Sequence, residues 1–240
     1  MKNWQIVGIH SVKEALKRRP KEVHFVALKE SNSKQADIAE IENLCKKKKI
    51  EVRIWNEKRF SQLAAVHQNV AAELKAIASP EVEDLGQREQ SLVIVLDGIE
   101  DPHNLGAILR SSWLLEAEAI IIPKDRAAKL SATAIKVACG GAEHVPVITV
   151  TNLSSSLQEL KEQGYWIYGL AEGGEQNLFQ WEPADKTVIV VGAEDKGMRK
   201  STRGQCDQIV EIWQTKGGAS FNASVAAALA MNRYRQCFQK

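Results

Sequence analysis

The sequence predicts an α/β protein, a parallel sheet covered on both faces and preceded by a smaller α/β unit. Three observations lead there. From about residue 92, five Val- and Ile-rich runs alternate with helical patterns, as expected for parallel strands buried on both faces. Upstream, Ser79-Pro80-Glu-Val-Glu-Asp-Leu-Gly86-Gln-Arg-Glu-Gln90 is polar, breaker-containing and non-periodic, the signature of a linker. The charge also changes sign across that stretch: residues 1–80 carry a net +7 and residues 81–240 a net −5, within an overall +2. The chain therefore divides into a unit over 1–78, a linker over 79–91 and a unit over 92–240.

In the first unit, Ser11-Val-Lys-Glu-Ala-Leu-Lys has a serine cap and helical spacing, and Glu22–Leu28 alternates like a strand. A polar helix is expected at about 33–48, a strand at Glu51–Trp55 and a helix from Glu57. In the second unit the strands are Leu92–Leu96, Ala119–Ile122, Val145–Val150, Trp166–Leu170 and Thr187–Val191. Helices fit at about 104–115, 131–139, 153–163 and 223–236. Ligands in such sheets collect beyond the carboxyl ends of the strands, so the turns that follow strands are where chemistry belongs.

Composition narrows the class. A hydrophobic share of 44% with 26% charged residues suits a globular protein. No apolar run approaches the ~18 residues of a membrane span, and the start lacks a signal-peptide core, so a cytoplasmic protein is expected. Cys45, Cys139, Cys206 and Cys237 are scattered and read as reduced, mostly buried thiols. The five histidines form no metal-binding pattern, so no metal is expected. The basic first segment suggests contact with a polyanion, most simply a nucleic acid.

Three turns carry polar chemistry. The first is Asp97-Gly-Ile-Glu-Asp-Pro-His-Asn104-Leu-Gly106-Ala-Ile-Leu-Arg110, in which Asn104 is expected to cap a helix. Gly106 and Arg110 are spaced to share a face, and the missing side chain at Gly106 should open space below the guanidinium. The arginine could clamp a phosphate or orient a ribose hydroxyl, or simply pair with an acid such as Glu194. The second turn, Gly192-Ala-Glu194-Asp-Lys-Gly197-Met-Arg199, is no P-loop, and no G-x-G-x-x-G occurs in the chain. The third runs from Ile212-Trp213-Gln214 through Gly217-Gly218 to Ser220-Phe221-Asn222-Ala-Ser224, where Asn222 is also a good helix cap.

Taken in order, Asn104-x-Gly106-x-x-x-Arg110, Gly192-Ala-Glu194-x-x-Gly197-Met-Arg199 and Ser220-x-Asn222-x-Ser224 resemble the motifs of the SpoU (TrmH) family of RNA ribose 2′-O-methyltransferases. Val7-Gly-Ile-His10-Ser-Val-Lys-Glu-Ala and His67-Gln-Asn-Val70 resemble the small substrate-binding domain of many members. Asp101–Gly106, Pro123-Lys-Asp-Arg126, Lys136–Gly140 and Gly192–Glu194 look closest to the branch that methylates a guanosine of 23S rRNA. The resemblance implies an L30e-like α/β domain before a parallel-sheet SPOUT methyltransferase domain knotted as a trefoil. It also implies a homodimer, RNA as partner and S-adenosyl-L-methionine as cofactor. It assigns Arg110 to activation of the ribose 2′-hydroxyl, with Asn104, Glu194, Ser220 and Asn222 in support. It assigns cofactor binding to Leu170, Ala171, Glu172, Gly192, Ile212, Gln214 and Phe221.

The sequence departs from the family chiefly where the cofactor-holding backbone is expected. Trp213-Gln214 replaces the usual Pro-Met and Asp195 stands where glycine follows the glutamate; in the first unit, Asn69 replaces a glycine. Two alternatives therefore stand beside the leading expectation: an RNA-binding ribosome-assembly factor with weak or lost cofactor binding, and an enzyme of the same kind acting on tRNA.

Overall fold

The computed structural model describes residues 3–29, 36–63, 67–215 and 219–238. The Val/Ile runs become strands because β-branched side chains pack well on a pleat whose two faces are both covered. In chain order they are β5 (Ser91–Asp97), β6 (Ala119–Pro123), β7 (Val147–Val150), β8 (Trp166–Leu170), β9 (Gln176–Asn177), β10 (Lys186–Gly192) and β11 (Gln208–Glu211). They form one sheet, all of whose pairings are parallel, in the order β7-β6-β5-β10-β8-β11-β9. Alternation within β5 divides the core: Leu92, Ile94 and Leu96 face one layer, Val93 and Val95 the other.

Helices α4 (Pro102–Leu114), α5 (Ala132–Val137) and α8 (Ala223–Phe238) contribute to the first layer, and α6 (Leu153–Glu162) to the second. The one-turn helix α7 (Lys200–Arg203) completes the set. The sequence pattern missed β9, β11 and α7, which span two, four and four residues. Their runs carry few apolar residues, only Ile209 and Val210 in β11 and none in β9 or α7, so no hydrophobic pattern marks them.

The first unit is built on β1 (Asn3–Val7), β2 (Val23–Lys29), β3 (Glu51–Trp55) and β4 (Val70–Lys75), in the order β1-β4-β2-β3. Strand β4 runs antiparallel to β1 and β2, while β2 and β3 are parallel. Strands β1 and β4 escaped the sequence reading. Helices α1 (Ile9–Arg18), α2 (Ala36–Lys48) and α3 (Glu57–Phe60) accompany the sheet. Ser11 does not cap α1: the helix begins at Ile9 after Gly8, and Ser11 is buried, donating to the Ile135 carbonyl at 3.2 Å. Only Cys45 of the four thiols is buried, which corrects the expectation for the others. Burial pushes the Cys45 and Cys206 thiols up to about 11.

The linker stretch carries a single 3-10 turn, Val82–Asp84, and buries Val82 and Leu85 in the α6 layer. Polar residues there did not mean a free tether, because two apolar side chains anchor it to the sheet.

Side-chain pairs also join the two units. Arg19, just past α1, forks onto Glu143 with Nε–Oε2 and Nη2–Oε1 distances of 2.5 and 3.2 Å, and also donates to Glu22 and the Lys75 carbonyl. Glu14 of α1 meets His144 Nε2 at 3.0 Å, and the His144 ring stacks on Trp113 of α4 with centroids 4.3 Å apart. Burial would raise the Glu14 carboxyl, but hydrogen bonds with His144 and Lys17 outweigh it and hold the group below its ordinary value. The Glu143 side chain is only 2% exposed, so removing its partner strands a charge in low dielectric. Arg19→Ala is expected to lower stability by about 3 kcal/mol, read as a lower midpoint in urea unfolding.

Candidate active site

The site gathers at the carboxyl ends of β5, β8, β10 and β11. Its floor exists because β10 lies between β5 and β8, bringing the turns after β5 and β10 side by side. Asp97, the last residue of β5, is buried and accepts from the Arg199 backbone N–H at 2.7 Å. Its other oxygen lies 3.3 Å from Arg199 Nε, in ion-pair range but outside hydrogen-bond geometry. This pair ties the far end of the second turn to the strand that begins the first.

The helix cap of α4 is Asp101, whose side chain accepts from the His103 N–H, and not Asn104 as expected. Asp101 precedes Pro102, which suits the first helical position. Asn104 is thereby freed, and its amide donates to Glu194 Oε1 at 3.2 Å. Asn222 donates to that oxygen at 2.6 Å and to Asn104 Oδ1 at 2.9 Å, and the Ala223 N–H donates to Glu194 Oε1 at 3.1 Å. One carboxylate oxygen thus holds together the start of α4, the turn after β10 and the start of α8. Asn222 is also the expected cap, its Oδ1 accepting from the Ser224 N–H and hydroxyl. A cap and a cross-link are one residue here because the amide nitrogen and oxygen face different partners.

Arg110 stands apart from this cluster. Six residues after Asn104, it projects about 120° around the helix. It is exposed, and its Nη1 lies 3.7 Å from Cys139 Sγ. It does not pair with Glu194. The space expected beneath it at Gly106 is filled: a Cβ there would lie 2.6 Å from the Ala134 carbonyl oxygen and from Val137 Cβ. That glycine serves the packing of α5 against α4.

Beside the cluster opens a cleft of about 460 Å³. All seven residues expected to bind cofactor line it: Leu170, Ala171, Glu172, Gly192, Ile212, Gln214 and Phe221. Glu194 and Ser220 of the expected catalytic set line it too, whereas Asn104, Arg110 and Asn222 do not. Sequence reasoning missed Ala219, Ala223 and Ala226, whose small side chains leave room; the spacing of Ala223 and Ala226 along one face of α8 was the available signal. Of the departures, Gln214 donates to Glu172 Oε1 at 3.0 Å within the lining, while Asp195 and the 57% exposed Trp213 are not among the lining residues. Gly217 and Gly218 lie outside the described residues.

Fold and site together define a parallel α/β protein with a ligand cleft at the carboxyl edge of its sheet. Residues 91–232 match the SpoU rRNA Methylase family, and residues 5–80 match the family described as RNA 2′-O ribose methyltransferase substrate binding. The chain belongs to the SpoU rRNA methylase family. It is 38% identical to the 23S rRNA (guanosine-2′-O-)-methyltransferase RlmB of Pectobacterium atrosepticum, over 94% of this chain and 95% of that one. The Escherichia coli K12 protein of the same name is 36% identical over the same shares. Among solved structures, the SpoU methyltransferase AviRb of Streptomyces viridochromogenes, in complex with AdoMet, superposes with a TM-score of 0.83. That match is at 18% identity and covers 98% of this chain and 91% of that one. A structure concerned with 2-OH methylation of C/U34 on tRNA has a TM-score of 0.56 at 19% identity, and its match covers 98% of that chain but 63% of this one.

The lining suits the family's cofactor on electrostatic grounds. Among the described residues it contains two carboxylates, Glu172 and Glu194, and no lysine or arginine, a charge pattern that favours a cationic sulfonium. Phe221, 41% exposed although aromatic, offers a flat face for a purine. At Gly192 a Cβ would lie 2.3 Å from the Gly197 carbonyl carbon and 2.4 Å from the Met198 nitrogen. Gly192→Ala should therefore cost about 2–3 kcal/mol by forcing the second turn away, measurable as a lowered melting temperature, with weaker S-adenosylmethionine binding in calorimetry.

Proposed function

We propose that this protein methylates the 2′-hydroxyl of a guanosine ribose in 23S rRNA, using S-adenosyl-L-methionine. The observation that carries the reading is the Glu194 cluster at the rim of a cleft lined by two carboxylates and, among the described residues, by no lysine or arginine. Whole-chain similarity to the 23S rRNA enzymes, first unit included, supports rRNA over tRNA as substrate. Action on ribosomal RNA implies a cytoplasmic protein, and no helix among the described residues is long and apolar enough to cross a membrane.

When bound, S-adenosylmethionine supplies an electrophilic methyl on a sulfonium. Main-chain groups at Leu170–Glu172, Gly192, Ile212 and Gln214 would hold it, with Phe221 against the purine. Glu194 fixes Asn104 and Asn222, so their remaining polar atoms are set before substrate arrives; most of the advantage is positional. Arg110 has only a weak sulfur acceptor as side-chain partner among the described residues, leaving its guanidinium N–H groups available for the ribose hydroxyl and its phosphate. A guanidinium has donors and no acceptor, so Arg110 orients the hydroxyl and neutralises developing charge, and the hydroxyl proton passes to a separate acceptor, the substrate's own phosphate or solvent. Ser220, exposed at the cleft, completes the set.

The same reading includes a trefoil threading of the carboxyl-terminal segment. The central place of β10, and the backbone-to-backbone approach at Gly192 and at Gly174, support such close crossing. It also includes a homodimer. Leu114 at the end of α4 and Val225 and Leu229 on α8 are 68%, 44% and 40% exposed on two helices that pack together. Apolar side chains so placed are expected to be covered by a second copy.

With purified protein, labelled cofactor and an unmodified 23S rRNA fragment, Arg110→Ala and Asn222→Ala should each lose roughly 100-fold or more in kcat. Arg110→Ala should retain cofactor affinity. Absence of transfer by the unsubstituted protein would sink the proposal, and absence of cofactor binding would favour an RNA-binding assembly factor. Leu229→Glu is expected to shift the sedimentation mass from dimer towards monomer, while an unsubstituted protein sedimenting as monomer would remove the dimer.

A further inference from the structure

A second cavity, also about 460 Å³, lies at the junction of the two units and has no part in the scheme above. Its walls include Trp4 of β1, Ser79 of the linker, Pro123, Lys124 and Lys129 around the end of β6, and Thr149 of β7. Its charge is the reverse of the cofactor cleft's: two lysines line it and no carboxylate does. Both lysines are exposed, and neither pairs with a carboxylate among the described residues. The loop from Pro123 to Leu130 adds Arg126, also exposed, against a single acid, Asp125. Trp4 is only partly buried, packing beside the core. An aromatic side chain, apolar walls and unpaired ammonium groups are the components that hold a base and its phosphate.

The loop also connects this cavity to the reaction site. Its Ala128 N–H donates to the Ile99 carbonyl at 2.7 Å, in the turn leading into Asn104. Helix α5, which follows at once, packs into the notch at Gly106 on α4. One short basic segment thus has the cavity on one side and the Asn104 turn on the other. It lies along the carboxyl edge of the sheet, where β6 neighbours β5.

We propose that this cavity is an RNA subsite. It takes one unpaired nucleotide of the substrate strand outside the methylated position, with the base against the Trp4 indole and the phosphate on Lys124 and Lys129. The inference rests on RNA being the substrate and adds where the strand runs: from Arg110 and Asn104 across the basic loop to the junction. Bound there, the strand touches both units at once, so the spacing between junction and cluster selects which ribose reaches the site.

The test uses the full chain and an unmodified 23S rRNA fragment. The K124A/K129A variant should raise KM for the fragment roughly tenfold and keep cofactor affinity. Its plot of log K against log salt should be shallower by about 0.7 for each phosphate that the variant no longer neutralises. Trp4→Leu should weaken RNA binding roughly tenfold, with Trp4→Phe restoring most of it, as base stacking requires. Because Trp4 also touches the core, the lysine variant carries the test if Trp4→Leu fails to fold. In the unsubstituted protein, 4-thiouridine-bearing RNA should crosslink to the Trp4 peptide or to residues 123–130. A lysine variant equal to the unsubstituted protein in KM and salt dependence, with crosslinks only elsewhere, would overturn the subsite while leaving the methyltransferase reading intact. Failure of the unsubstituted protein to bind or methylate the fragment would overturn both.

Discussion

One oxygen atom organises the site. Glu194 Oε1 accepts from Asn104, Asn222 and the Ala223 backbone, so the turn that carries Glu194 is tied to two remote stretches of chain. A carboxylate satisfied by three N–H donors is well stabilised, and it sits at the amino-terminal end of α8, where the helix dipole favours negative charge. The cluster therefore couples the strand-following turns of β5 and β10 to the helix that closes the core, and it does so before any ligand arrives. The cleft beside it inherits its negative rim from the same residue.

That arrangement depends on how closely backbones can approach. Gly192 lets the second turn fold onto Gly197 and Met198, and Gly106 lets α5 seat against α4. Neither glycine primarily makes room for a ligand. Asp97, buried at the end of β5, then anchors Arg199 and sets the exit of the second turn. The first unit is held by side-chain pairs, the ion pair of Arg19 with Glu143 and the contact of Glu14 with His144. Glu143 and His144 follow Gly141, where an added Cβ would lie 2.7 Å from the Leu109 carbonyl oxygen and 3.2 Å from the Arg110 nitrogen. The segment that joins the units thus packs directly on the backbone of the arginine assigned to the substrate hydroxyl.

Much of this was legible in the sequence because hydrophobic runs and motif residues are local signals. Strands β5, β6, β7, β8 and β10 and helices α4, α5, α6 and α8 stand close to where periodicity puts them, and all seven expected cofactor residues line one cleft. The misses share a cause. Strand β9 has no apolar residue and β11 only Ile209 and Val210, and β1 and β4 lie where helical and polar neighbours obscure the alternation. Asn104 reads as a cap because capping chemistry is common to Asp and Asn, and only geometry chose Asp101.

By itself, then, the sequence determined the strand-and-helix alternation, the division of charge along the chain and the polar residues of the three turns. These follow from side-chain chemistry acting over a few residues. Tertiary structure alone decided that β10 would lie beside β5, that Asn222 would be cap and cross-link together, and that Arg110 would stand outside the Glu194 cluster. It alone made a cavity between Trp4 and Lys124, 120 positions apart in the chain. Such relations depend on non-local packing and on which backbones can touch, and no local pattern encodes them.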